Sequence, residues 1–293
     1  MSEEKTVLEN EELLIEVKKS GAELTRIYDK KKKREVLWEG DPSIWGRHAP
    51  ILFPFVGKCF ENKYVHQGKT YAIGQHGFAR DMDFDLESVQ DQEVWHTLTD
   101  SEETLAKYPF HFRLETGHRL EGRRLRVMWK VTNTGSEDLY FMIGAHPAFR
   151  VPEGKSVYDY TFDFHQKGAL HYQAPDGDGY EEKALSGELP VGEGRVPLTK
   201  GFFQNVLTYI FDRGQIEKIS LLLSGEPFVT IDCKGFPYTA VWTVEETHPF
   251  VCLEPWYGRC AEKGFQGELK DREGIVMLKA GEVFQSEYTI EVF

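Results

Sequence analysis

Apolar and polar positions alternate with period two along most of this chain. Leu13-Leu14-Ile15-Glu16-Val17, Arg124 to Val131 and Ser286 to Phe293 all show the pattern, which in an extended chain gives one buried and one solvated face. Turn chemistry separates such runs: Asn133-Thr134-Gly135, Asp176-Gly177-Asp178-Gly179 and Lys234-Gly235. Helical spacing is nearly absent. The best candidate, Ser101 to Tyr108, is stopped by Pro109 after one or two turns. The pattern predicts an all-β chain, antiparallel because crossover helices are lacking, and folded as a large two-sheet β-sandwich because so many strands rarely stay in one open sheet. No linker, composition shift or internal repeat divides residues 1–293, so a single domain with a cleft on one face is expected.

Charge then narrows the partners. With 48 acidic against 35 basic residues the formal net charge is −13, which argues against nucleic acid and anionic membranes, both of which need clustered positive charge. The one basic run, Lys30 to Arg34, lies between two strand-like segments and reads as a solvated hairpin turn. No apolar stretch is long enough for a membrane span and the N-terminus carries no leader pattern, so a soluble cytoplasmic protein is expected. Cys59, Cys233, Cys252 and Cys260 show no C-x-x-C spacing and read as free thiols. The ten histidines include neither H-E-x-x-H nor a zinc-type cluster, so no catalytic metal is expected.

Four segments break the alternation with polar groups among Gly, Pro and aromatics. In Phe250-Val251-Cys252-Leu253-Glu254-Pro255-Trp256-Tyr257-Gly258 an apolar strand delivers a carboxylate just before a proline. That mounting suits a catalytic base, and Trp256 offers a flat face to the C–H side of a sugar ring; the alternative is that Glu254 pairs with an Arg and the aromatics fill core. Phe141 to Phe149 repeats the device, presenting His146 before Pro147, either as partner to Glu254 or as a hydrogen-bonded structural histidine. Gln75-His76-Gly77-Phe78-Ala79-Arg80-Asp81 packs an amide, an imidazole and a guanidinium around a glycine, a density beyond what a loop needs for solubility; a plain turn stabilised by an Arg80–Asp81 pair is the alternative. Arg47 precedes a Pro-punctuated apolar run and is either a forked donor to hydroxyls or phosphate, or a rim salt bridge. Serine-hydrolase and P-loop patterns are missing, and only one carboxylate has the mounting a glycosidase needs twice. Proton transfer on a sugar fits this set better.

With these segments together, the chain resembles the aldose 1-epimerase (galactose mutarotase) family, most closely its lactose-operon-associated bacterial branch. The resemblance covers essentially the whole chain. It rests on Trp45-x-Arg47-x-Ala49-Pro50-Ile51-Leu52-Phe53-Pro54 with Val56-Gly57, on Gln75 to Asp81, on Tyr108-Pro109-Phe110-x-Phe112, on Ala145-His146-Pro147-Ala148-Phe149 and on Cys252-x-Glu254-Pro255-Trp256-x-Gly258. It implies a galactose-mutarotase-type sandwich with no cofactor, acting at the anomeric carbon of a free aldohexose. By the same resemblance Glu254 is the general base and His146 the general acid, with His76, Arg80, Gln75 and Arg47 gripping the ring oxygen and hydroxyls. Where the family commonly has an Asp against the sugar, this sequence offers Asn205. Arg259-Cys260 after Gly258 is a second departure, at the rim of the site. The expected partner is a small monosaccharide, for a monomer or homodimer. Two other readings are a hexose-6-phosphate mutarotase, with Arg47 and Arg80 as a phosphate clamp, and a non-catalytic carbohydrate-binding protein on the same scaffold.

Overall fold

A computed structural model describes residues 4–204, 206–244 and 249–293. Alternation is realised as strands throughout. Arg124–Asn133, for example, buries every second side chain, and its neighbours Phe112–Glu121 and Val283–Val292 pair with it antiparallel over nearly their whole lengths. These strands centre a nine-stranded antiparallel sheet that runs from Arg195–Pro197 at one edge to Asp85–Gln90 at the other. A six-stranded sheet packs on it, built from Thr208–Phe211, Tyr238–Trp242, Phe250–Tyr257, Ile143–Ala145, Ile51–Leu52 and Ala148–Arg150. The two-sheet sandwich expected from the sequence is therefore present, joined by a four-stranded N-terminal sheet from Lys5–Glu9 to Arg34–Glu35. The basic run Lys30 to Lys33 is the turn of its last hairpin.

The main core lies between the sheets, where Leu125, Val127, Trp129 and Val131 meet Val241, Val251, Leu253 and Ile143. Burying an aliphatic side chain in this way contributes about 1.5–3 kcal/mol. The outer face of the smaller sheet carries two separate apolar clusters, one around Trp38, Ala148, Phe250 and Cys252, the other around Leu52, Met142, Ala240 and Trp256. Glu254 falls between them. The α-helix among the described residues, Glu102–Lys107, is capped by Ser101, whose hydroxyl accepts from Thr104 N, and ends before Pro109 as the sequence indicates. No helix of the described residues is long and apolar enough to cross a membrane. The four cysteines are free and buried.

Candidate active site

Register brings the two strand-mounted titratable groups together. Gly144 lies opposite Trp256 and Ala148 opposite Cys252, so the position facing Glu254 across the ladder is His146. Leu253 N donates to Pro147 O, which makes His146 and Glu254 the adjoining non-hydrogen-bonded pair, where facing side chains approach most closely. His146 Nε2 is 3.1 Å from Glu254 Oε2. On its other side Glu254 faces only Ala240, so no neighbouring donor competes for the carboxyl. The contact with His146 lacks hydrogen-bond alignment. Both Glu254 oxygens and His146 Nδ1 are consequently buried without a hydrogen-bond partner among the described residues.

The strand does not end at Glu254, as the sequence reading has it, but continues to Tyr257. Pro255 is tolerated mid-sheet because the neighbouring strand is interrupted between Ala145 and Ala148, and because the donor it lacks is replaced: Trp256 Nε1 donates to Ala145 O at 3.1 Å. Trp256 thus has a different task from the one expected. It is only 4 % exposed and lies so close to Gly144 that a β-carbon there would come within 2.5 Å of the indole, so it braces the ladder and offers no face to a sugar ring. The open aromatic surfaces belong to Trp45 and Trp242, both half-buried, with ring centroids 5.1 and 5.2 Å from His146. Neither was singled out in the sequence, although Trp45 stands in a motif that was.

Burial sets the resting protonation of the pair. It raises the Glu254 carboxyl well above its usual range and pushes His146 down to about 3, assisted by the positive charges of Arg80 and Arg47. A general base at Glu254 and a general acid at His146 would call for a carboxylate beside an imidazolium; burial of both groups instead favours the uncharged arrangement, carboxylic acid beside neutral imidazole. The two arrangements hold the same number of protons. The pair therefore keeps one donor and one acceptor at neutral pH whichever residue carries the proton.

His76 stands edge-on to His146, with centroids 5.7 Å apart. Its Nδ1 accepts from Gly57 N at 3.0 Å, which leaves the proton on Nε2, 3.3 Å from the Gln75 amide; the amide must then present its oxygen. Burial first, and then the charges of Arg80 and Arg47, hold His76 well below its ordinary pKa, so it is a neutral donor. His76 adopts φ +65°, a strained value for this residue type, and next to it Gly77 at φ +71° passes so near Phe53 that a β-carbon would sit 2.3 Å from its carbonyl oxygen. Arg80 donates to Gln75 O at 2.8 Å and keeps a buried Nε without a hydrogen-bond partner, while Arg47 pairs with Asp81 at 2.8 Å. Burial and the nearby Arg47 charge lower Arg80 to about 10. Gln75, His76, Arg80 and Arg47 are thus brought to the side of the pair. Asn205 lies outside the described residues.

Two further residues adjoin the site without having been visible as chemistry. Glu23 is 2 % exposed and accepts from His48 N at 2.6 Å and Ala49 N at 3.0 Å while pairing with Lys18 at 2.9 Å. Burial works to raise its pKa, but His48 and Lys18 overcome this and hold the carboxyl down at about 2. It fixes the segment that bears Trp45 and Arg47. Glu23→Gln should therefore destabilise the protein toward the low end of the roughly 3–5 kcal/mol that breaking a buried pair costs, since Lys18 stays partly solvated; the urea midpoint measures this, and an unchanged midpoint would show that the segment holds without Glu23. Cys252, two residues before Glu254 on an extended strand, shares its face by the period-two rule, and the ligand atoms of His146, Cys252 and Glu254 lie within 4.8 Å of one another. Arg259, by contrast, is a buried ion-pair centre with Glu273 at 2.6 Å and Glu181 at 3.5 Å, and Asp232 caps a turn through Lys234 N.

Comparison with known proteins bears on this geometry. Residues 4–290 match the aldose 1-epimerase family. The chain is 29 % identical to the chromosomal LacX protein of Lactococcus lactis subsp. lactis over 97 % of its own length and 98 % of that protein's. A galactose mutarotase related enzyme from Lactobacillus acidophilus superposes with a TM-score of 0.93 at 30 % identity, covering 99 % of this chain and 97 % of the other. A galactose mutarotase-like protein from Lactobacillus casei gives 0.90 at 30 % identity, covering 99 % and 100 %. A matched interval of nearly the whole sequence, on a sandwich shared with these proteins, establishes that this chain belongs to the aldose 1-epimerase family.

Proposed function

We propose that this protein is an isomerase that interconverts the α and β anomers of a free aldohexose by general acid–base ring opening. The observation that carries the reading is the buried His146–Glu254 pair, 3.1 Å apart, with both Glu254 oxygens and His146 Nδ1 without a hydrogen-bond partner. One member takes the proton of the anomeric hydroxyl while the other delivers a proton to the ring oxygen. The C1–O5 bond breaks, C1 becomes an aldehyde, and rotation about C1–C2 exposes its other face. Reclosure with the two roles exchanged gives the opposite anomer and restores the pair. Glu254 is the base and His146 the acid in the form that carries the proton on the imidazole; the uncharged form runs the same cycle in the opposite sense. His76, Arg80, Gln75 and Arg47 hold hydroxyls and ring oxygen, and Trp45 and Trp242 supply apolar surface.

The test is exchange spectroscopy by NMR on glucose and galactose at anomeric equilibrium. Acceleration of the exchange is expected; binding of either sugar without acceleration would assign the protein to the carbohydrate-binding class. A second reading has a specific observation behind it, since two guanidiniums share the single carboxylate of Asp81, which the Arg80 Nε approaches only to 3.7 Å without a hydrogen bond. If those cations serve a phosphate, glucose 6-phosphate will exchange faster than glucose and Arg80→Gln will abolish the difference.

A further inference from the structure

We infer that His146, Cys252 and Glu254 form a binding site for a borderline-soft divalent cation of the zinc type, one that closes the centre when loaded. The blocking effect rests on the function proposed above; the binding does not. Cys252 and Glu254 project from one face of Phe250–Tyr257, and His146 faces Glu254 from the neighbouring strand. Two ligands spaced two apart on a strand, with a third from the adjacent strand, give a convergent set, here with ligand atoms within 4.8 Å.

Thiolate, imidazole and carboxylate are the usual protein ligands of zinc, and three of them leave a fourth position for water. Charge fits as well. One thiolate and one carboxylate neutralise a divalent ion, so loading adds no net charge to a pocket walled by Trp242, Ala148 and Ala240. Both Glu254 oxygens are buried and without a hydrogen-bond partner, so a cation breaks no hydrogen bond of theirs. Binding exchanges the Cys252 S–H bond for an S–metal bond and releases that proton, with any on Glu254, to the buffer; affinity consequently rises with pH.

Cobalt(II) titration of the whole chain provides the test. One equivalent should bind and produce an intense thiolate-to-cobalt charge-transfer band. Cys252→Ala and Cys252→Ser should each remove the band and weaken binding by more than the roughly 10–100-fold that loss of an outer-shell partner costs, with thermal midpoints confirming that they fold. His146→Asn, which keeps the thiol, provides a variant on the other strand and should weaken binding similarly. No band with the unaltered protein, or a band that survives in Cys252→Ala and so arises from Cys59, Cys233 or Cys260, would overturn the inference. Zinc should also slow anomer exchange in the unaltered protein but not in Cys252→Ser, and galactose should weaken cobalt binding. A Cys252-dependent band with no effect of galactose and no loss of exchange would leave the metal site standing and remove the sugar from His146 and Glu254.

Discussion

Replacing Glu254 with glutamine should lower the rate of anomer exchange by about 10²–10⁴-fold while changing sugar affinity little. The amide matches the carboxyl in size and occupies the same place opposite His146, but it neither gives up nor accepts a proton at neutral pH, so the pair loses its transferable proton. Effects on a shared proton do not add. His146→Asn alone should cost a comparable factor, and the double variant only slightly more than either single one, because the first change already disables the exchange. NMR exchange rates with sugar titrations measure rate and binding separately. Near-normal rates in Glu254→Gln would remove Glu254 from the chemistry, and fully multiplicative losses would show that the two residues act independently.

The second large effect is on stability in acid. Burial holds His118 and His146 down at about 3 and His76 well below its ordinary value. A group whose pKa falls on folding contributes stability that is present above its unfolded value, near 6.5, and is lost as pH falls toward the folded one. Each such histidine therefore costs about 1.4 kcal/mol per pH unit below 6.5. Glu254 acts in the opposite sense: its raised pKa favours the folded state below 4.5 and loses that contribution as pH rises through the folded value. Three histidines against one carboxyl leave a net loss of stability as pH falls from 6.5 toward 4.5. Below 4.5 the decline should steepen, since Glu254 adds nothing further and Glu23, held at about 2, begins to lose its share. Urea midpoints at pH 7, 5.5 and 4.5 test this. His118→Gln, in the strand Phe112–Glu121, should flatten the slope; an unchanged slope would mean that His118 is not one of the titrating groups.

Local patterning made much of this protein legible. Period-two alternation identified the strands, Ser101 and Pro109 bounded the helix Glu102–Lys107, and glycines and aspartates marked the turns, because backbone preference and side-chain alternation act within a few residues. Four motif segments pointed to residues now found beside the His146–Glu254 pair, since polar groups fixed among Gly, Pro and aromatics stand out against an alternating background. Trp256 and Glu23 were the instructive failures. An exposed aromatic and one that substitutes for a proline's missing N–H look alike in sequence, and the carboxylate that braces the Trp45–Arg47 segment looks like any charge at a strand end. Both depend on partners distant along the chain.

By itself, then, the sequence determined the strand-rich character of the chain and the mounting of a histidine and a glutamate, each just before a proline. Tertiary structure alone decided that these two face each other, because strand register is set by the packing of whole sheets rather than by local preference. It decided their protonation too. Desolvation by two apolar clusters and the surrounding loops fixes which charge states survive, and that depends on what the fold lays over a residue, not on which residues stand beside it in the chain.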